Sequence, residues 1–389
     1  MQLFNLLGLV FCTLGAVAVQ ANDITIATFN VSMESENYVP RGAPLGPQVL
    51  ANLLAKGNHP QIKNIAAIIQ QVQPDILLLN EFDYIKDPQQ GIELFIKNYL
   101  AVSQAGGKPI HYPYYFYQTV NTGVLSGFDL NRDGKVNHGG EDAWGFGNYP
   151  GQYGMVVLSK YPLDTANTRT FQHFKWRDMP NHRKPTLPDG SAWFSQQIME
   201  QMPLSSKSHW DIPVSINGKS LHLLVSHPTP PVFDGPENRN GHRNHDEVRF
   251  WVDYLNNKDS YHYDDQGQTG GYQSSTPFVI LGDLNSSPDE GDSHKEAITA
   301  LVNHPKIQQA IVPASLGGAQ NMPTNPKAKF HTAFWKMRAD YVLPAKHGLQ
   351  LLDAGVFWPA PTEKHHQMVA SRETSSDHRL VWIKVRFSE

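Results

Sequence analysis

The chain has 389 residues, 40% of them hydrophobic, with 32 Lys and Arg against 36 Asp and Glu and a formal charge of −4. That length supports a large core, and the missing basic excess argues against a protein that grips nucleic acid through phosphate neutralisation alone. The only cysteine is Cys12, which leaves everything after it without disulfides or thiolate metal ligands.

The first stretch, MQLFNLLGLVFCTLGAVAVQAND, is apolar over roughly residues 3–19, has small residues at Ala16, Ala18 and Ala21, and turns polar at Asn22 and Asp23. This pattern predicts an export leader over 1–21, although no Lys or Arg precedes the apolar run. It is short for a spanning helix. The expectation is one domain over 22–389, exported to a periplasmic or extracellular location.

Seven strands are predicted in chain order: DITIATFNV (23–31), PDILLLNEF (74–82), YGMVVLSK (153–160), LHLLVSHP (221–228), TPFVILGDLN (276–285), RADYVLP (338–344) and RLVWIKVRF (379–387). Most are unbroken Val, Ile and Leu runs, as expected of strands covered on both faces. Helical spacing appears between them. QIKNIAAIIQQV (61–72) repeats apolar residues with a helical period, and RNHDEVRFWVDYLNN (243–257) puts Val248, Trp251, Val252 and Leu255 on one face. SHKEAITALVNH (293–304) reads as a third helix with Ser293 as its N-cap. Strands and helices in mixed order indicate a layered α/β fold. Residues 103–150, 164–210 and 258–275, rich in Gly, Pro, Asn, Tyr and Trp, read as loop insertions.

Polar groups stand at the strand ends. Asn30 follows ATF, Glu81 follows LLLN, His227 follows LLVS, and VILGDLN delivers Asp283 and Asn285. Asp340 precedes YVLP, and SSDH puts Asp377 and His378 ahead of the last strand. Each alone is explained by a turn, a cap or an Asx-turn; together they form a hydrolytic set. Carboxylate and amide oxygens gathered in this way suit a hard divalent ion, with Mg2+ the best fit and Mn2+ or Ca2+ as alternatives. An Asp–His pair orients an imidazole and favours its cation. In GDLN the alternate residues Asp283 and Asn285 share one face.

The segments ATFNV, PDILLLNEF, YGMVVLSKYPL, LLVSHPTPP, FVILGDLNSSP, RADYVLP and SSDHRLV, in that order over residues 23–387, resemble the endonuclease/exonuclease/phosphatase superfamily. GDLN and SDH are the most specific parts. The resemblance implies a four-layer α/β sandwich, two mixed sheets face to face with helices outside, and metal-dependent hydrolysis of a phosphate ester by in-line attack of water. It implies that Glu81 is the principal metal carboxylate, with Asn30 and Asp377 as further metal or water-shell ligands. It gives Asp283 to the attacking water, Asn285 to a phosphate oxygen, and His378 to the scissile phosphate with Asp340 as its partner. His227 is implied as an acid toward the leaving oxygen.

Two further stretches carry expectations. HPTPPVFDGPENRNGHRNHDEVRFW (227–251) offers Arg239 and Arg243 as forks for a non-reacting part of the substrate, or else as partners of the loop's own acids. DLNRDGKVN (129–137) matches a calcium loop, with Asp129, Asn131 and Asp133 at positions 1, 3 and 5, Gly134 at 6 and the Lys135 carbonyl at 7. Gly140 stands at position 12, so Glu141 or Asp142 must substitute, and a structural Ca2+ is expected over 129–142.

The expected function is an exported, metal-dependent phosphoesterase acting as a monomer without a protein partner on phosphate mono- or diesters, small molecules favoured. A secreted endonuclease or a sphingomyelinase-like phosphodiesterase is the alternative, with Trp144, Phe146, Tyr149, Trp193 and Phe194 stacking on bases, meeting lipid, or forming loop core. A non-catalytic scaffold is disfavoured, because a retired site has no physical reason to gather unpaired carboxylates.

Overall fold

The computed structural model describes residues 23–256 and 261–388; the expected leader over 1–21 and Cys12 lie outside them. The first sheet contains β1 (Ile24–Met33), β2 (Ile76–Phe82), β3 (Tyr114–Phe116), β4 (Met155–Ser159), β10 (Leu349–Val356) and β11 (Val381–Phe387), in the order β10-β11-β1-β2-β4-β3. The second contains β5 (Arg169–Thr170), β6 (His209–Ile216), β7 (Lys219–Ser226), β8 (Phe278–Asp283) and β9 (Asp340–Pro344), in sequence order. Each sheet is mixed. β1 runs parallel to β2, and β7 parallel to β8, while their other neighbours are antiparallel.

Alternation along the strands explains the unbroken apolar runs. Leu223, Val225, Val279, Leu281 and Val342 face the core shared with the first sheet. Leu224, Phe278, Ile280, Tyr341 and Leu343 face the other way, onto Val248, Trp251 and Leu255 of the Arg239–Asn256 helix and Ile298 and Leu301 of the Lys295–Val302 helix. The first sheet is covered in turn by the Pro60–Val72 helix through Ile62, Ile65, Ile68 and Ile69. Helix, sheet, sheet, helix is the expected four-layer α/β sandwich. Truncating a residue such as Leu281 to Ala removes buried contacts and costs about 2–5 kcal/mol.

Several elements depart from the sequence reading. The Pro47–Lys56 helix was not anticipated, although it has Pro at its start and closes on Gly57 at φ 65. β10 is an edge strand with mixed exposure and no clean alternation. β6 begins inside the expected 164–210 insertion, and β3 and β5 lie inside expected insertions too. Ser293 does not cap its helix: the helix starts at Lys295 with His294 before it, and the Ser293 hydroxyl accepts a hydrogen bond from Ser286. Among the described residues, no helix is long and apolar enough to cross a membrane.

Candidate active site

The strand directions gather the polar ends on one edge. β1, β2, β7 and β8 finish there, with Asn30 and Glu81 in the last residues of β1 and β2, Asp283 at the end of β8 and His227 just past β7, while antiparallel β9 and β11 begin there, beside Asp340 and His378. The backbone is bent to aim these groups. Ser32, Glu81 and Asn285 hold φ of 48, 56 and 49, a left-handed conformation uncommon outside Gly. Gly282 answers a packing demand. A Cβ there would stand 2.0 Å from the Ser226 carbonyl, so only Gly lets β8 close against the end of β7.

Asp283 is the centre of the arrangement. Its Oδ2 accepts from Asn30 Nδ2 at 3.1 Å and lies 3.4 Å from His227 Nε2 and 3.5 Å from His378 Nε2. Burial alone would raise the Asp283 pKa, but His378, His227 and Asn30 outweigh it and hold the carboxyl well below the usual range. Its Oδ1 accepts the Asn285 N–H at 3.0 Å, while Asn285 Nδ2 donates to the Pro228 carbonyl at 3.1 Å, tying the loop after β8 to the loop after β7.

His378 Nδ1 lies 2.9 Å from Asp340 Oδ2. Burial opposes the imidazolium, yet Asp340 and Asp283 prevail and push His378 up to about 10. Burial raises Asp340 to about 6, which still leaves it ionised at neutral pH beside the His378 cation. His227 behaves oppositely. Burial and then the nearby Lys207 push it down to about 4, so it is neutral at pH 7. Its Nε2 lies 3.4 Å from Asp283 Oδ2, and its Nδ1 has no partner among the described residues.

Glu81, only partly buried, is raised to about 7, by desolvation first and by Asp377 and Asp283 next, against the pull of His378. Glu81, His227 and Asp283 each offer a ligand atom within 4.8 Å of the others, as do Asp283, Asp340 and His378. The second set is taken up by an imidazolium and its carboxylates. In the first, the Glu81 and Asp283 carboxylates are oxygen donors that suit a hard cation, with negative charge that burial penalises, while His227 Nε2 is turned toward Asp283. Asn30 Oδ1 accepts the Ser32 N–H, and Asp377 Oδ1 the Ser32 hydroxyl at 3.1 Å, while Asp377 Oδ2 lies 3.5 Å from Arg372.

Four contributors were not foreseen. Asn80 Oδ1, on β2, accepts the Asp283 N–H and the Thr28 hydroxyl, clamping one sheet to the other. The Thr332 hydroxyl donates to Asp340 Oδ2 at 2.7 Å. Lys207 is buried close enough to Glu247, Glu81 and Asp283 to feel their charge, although burial lowers its pKa. Trp335, 45% exposed, meets the His378 ring edge-on at 4.7 Å. Asn80 was legible only as part of a strand, and Lys207 and Trp335 lie in stretches without periodicity.

Other expected groups sit elsewhere. Arg243 is buried, its guanidinium donating to the Leu204 and Pro203 carbonyls, so it is a structural brace rather than a substrate fork. Arg239 is engaged by Glu237 and by Glu141 at 3.0 Å and stacks on Trp193, which leaves it no free fork. Both residues belong to a helix that starts at Arg239, four residues before the expected boundary. Phe194 is core and Tyr149 is nearly so, its hydroxyl donating to Asp83; Phe146 is exposed. In the 129–142 loop, Asp129 and Asn131 oxygens accept N–H groups of Asp133 and Gly134. Asp142 accepts from Leu130 and Asn137, so it clasps the loop instead of replacing the twelfth ligand.

A sequence model of the Endonuclease/Exonuclease/phosphatase family matches residues 27–378. The chain belongs to this family. Members of the Endonuclease/Exonuclease/phosphatase family hydrolyse phosphate esters and are typically dependent on divalent metal ions. No curated protein sequence matches the chain. Among solved structures it is similar to an endonuclease/exonuclease/phosphatase from Beutenbergia cavernae, at 16% identity and a TM-score of 0.50, over 94% of this chain and 72% of that one. It is also similar to the human Nocturnin catalytic domain (14% identity, TM-score 0.46, 95% and 97% covered) and to sphingomyelinase C from Streptomyces griseocarneus (15%, 0.44, 93% and 99%). At these identities the likeness extends to the fold alone.

Proposed function

We propose that this family member is an exported, divalent-metal-dependent phosphoesterase that hydrolyses small organic phosphate mono- or diesters by in-line attack of water. The observation that carries the reading is Asp283 Oδ2, met by Asn30, His227 and His378 from both sheets with Glu81 beside it. Export rests on the leader pattern over 1–21.

A divalent cation held by Glu81, with Asn30 and Asp377 as further ligands, would supply positive charge to the phosphoryl oxygens. The remaining roles belong to the chain itself. Asp283 stays ionised and accepts a hydrogen bond from the attacking water, which orients it for in-line approach. Asn285, fixed on Pro228, keeps its second amide N–H for a phosphate oxygen. His378, cationic and held by Asp340, presents Nε2–H to developing negative charge in a site from which water is largely excluded. His227, neutral, fixes Asp283 from the other side.

The test is hydrolysis of p-nitrophenyl phosphate, bis-p-nitrophenyl phosphate, plasmid DNA and sphingomyelin with added magnesium, manganese or calcium, and again after chelation. Turnover of a soluble ester that chelation abolishes is expected. Failure on all four substrates with every metal would overturn the reading. One observation favours the second reading, a nuclease or sphingomyelinase-like enzyme: Phe334 and Trp335 are 52% and 45% exposed, and Trp335 lies against His378. Faster cleavage of DNA or sphingomyelin than of the soluble esters would select it.

A further inference from the structure

The stretch that was expected to hold a non-reacting part of the substrate contributes two histidines to a cluster of three. His242 and His245 lie one turn apart on the Arg239–Asn256 helix, and His294 precedes the Lys295–Val302 helix. The His242 and His294 rings stack at 5.0 Å and 17°, and His245 meets His294 edge-on at 6.0 Å. Arg183 Nη1 lies 3.2 Å from His294 Nδ1, and Asn238 Nδ2 lies 3.2 Å from His294 Nε2. His242 Nδ1 is buried without a partner among the described residues.

The balance of charge in this cluster is unusual. Its acids are largely committed: Asp246 to Trp176, His245 and the Arg183 backbone N–H, and Asp234 to the Asn240 N–H. Glu296, 3.1 Å from Arg183 Nη2, is exposed on the outer side. Arg183, Asn238 and three imidazoles thus face a single acid outside the committed pair, Glu296. Burial and then Arg183 lower the proton affinity of His242 and His294, as mutual repulsion among cations requires. An oxyanion would relieve that shortage of negative charge.

The cluster also stands at the far ends of two loops that leave the catalytic centre, one running from His227 to Asn238 and the other from Asn285 to His294. These loops are bound together at their inner ends by Asn285 Nδ2 on the Pro228 carbonyl. Asn244 Nδ2, on the same helix as His242 and His245, adds bonds to the Thr229 and Leu284 carbonyls. Resting on the phosphoesterase reading, we propose that Arg183, His242, His245 and His294, with Asn238, form a second oxyanion subsite. It takes a phosphate-type group of the substrate other than the one being hydrolysed. The substrate class is then a small organic molecule carrying at least two phosphates.

Two arms test this on Arg183→Gln and His294→Gln. In the first, magnesium-supported kinetics compare fructose 1,6-bisphosphate with fructose 6-phosphate and p-nitrophenyl phosphate. The unaltered enzyme is expected to have the lower KM for the bisphosphate, and each variant to raise that KM about tenfold by losing a charge-assisted contact. The kcat values, and all constants for the two monophosphates, should hold. Equal effects on all three substrates, or none on any, would overturn the proposal. In the second arm, inorganic phosphate is titrated while histidine-ring resonances are followed by NMR in the full protein and in Asp283→Asn. Saturable shifts of His242 and His294 that Arg183→Gln abolishes support the subsite. Rings that ignore phosphate refute it even if esters are hydrolysed. Ring shifts without any preference for the bisphosphate would refute the substrate assignment and point to free phosphate. Ring shifts in a protein that hydrolyses no ester would sink the phosphoesterase reading and leave the anion site standing.

Discussion

His378 Nδ1 lies 2.9 Å from Asp340 Oδ2, a pair 38 residues apart in sequence that sits at the meeting edge of two sheets. The Thr332 hydroxyl holds the same carboxylate oxygen. Asp340 therefore sets both the orientation of the imidazole and its charge.

Asp340→Asn keeps the shape and removes the charge. The expected outcome is a fall in kcat of about 10²–10⁴-fold with little change in KM. The alkaline limit of activity should also move. A His378 held at about 10 is cationic at all lower pH, and losing Asp340 lets it deprotonate earlier, so the variant's rate declines at lower pH than the parent's. A pH–rate profile with an unmoved alkaline limb would contradict the pairing.

Lys207 is buried beside Glu81, Asp283 and His227, where burial lowers its pKa and the two carboxylates oppose that. Lys207→Met is expected to lower kcat/KM by about 10²-fold through lost stabilisation of phosphoryl charge, with Lys207→Arg recovering part of it. His227 should titrate higher in Lys207→Met, because a cation that lowers its pKa has gone. Wild-type kinetics in the Met variant would reduce Lys207 to a packing residue.

The 129–142 loop presents Asp129, Asn131 and Asp133 oxygens and lacks a twelfth ligand, since Glu141 pairs with Arg239 and Asp142 clasps the loop. Calcium affinity there should be weak, about 10⁻⁴–10⁻³ M as in extracellular modules. Millimolar calcium is expected to raise Tm, and Asp133→Ala to abolish the rise. A melting curve indifferent to calcium removes the ion from the account.

His262 is buried between Tyr261, Phe174 and Phe250, and among the described residues neither ring nitrogen has a partner of good hydrogen-bond geometry. Burial pushes it down to about 3 from an ordinary value of 6.5. The unfolded chain then binds a proton that the folded one refuses, so this histidine's contribution is intact above pH 6.5 and is lost as pH falls below it. His262→Phe deletes the titration and should flatten the acid side of a Tm–pH curve without touching activity. Parallel curves for parent and variant would show that the ring is solvated.

Much of this was legible in the sequence for a physical reason. Strands covered on both faces must be apolar throughout, so residues 76–79 and 278–281 announce themselves, and each run's polar end marks the open edge. Asn30, Glu81, His227, Asp283, Asp340 and His378 were found that way. Edge strands such as β10 carry no such demand and stayed hidden. Arg239 and Arg243 misled because side-chain type reveals chemistry, not the partner: Glu237 and the Pro203 and Leu204 carbonyls are close only in the fold. Asn80 and Lys207 act across the two sheets, a relation that no local pattern encodes.

The central claim is that Asp283 and His378 serve one reacting phosphorus, and a double-mutant cycle measures that directly. Asp283→Ala, His378→Ala and the double variant, each with intact circular dichroism, are assayed with magnesium on the best ester. Groups acting as a unit are non-additive, so the double variant should lose hardly more activity than the worse single one. Losses that multiply, or substantial turnover in either single variant, would mean that the two residues do not share a centre.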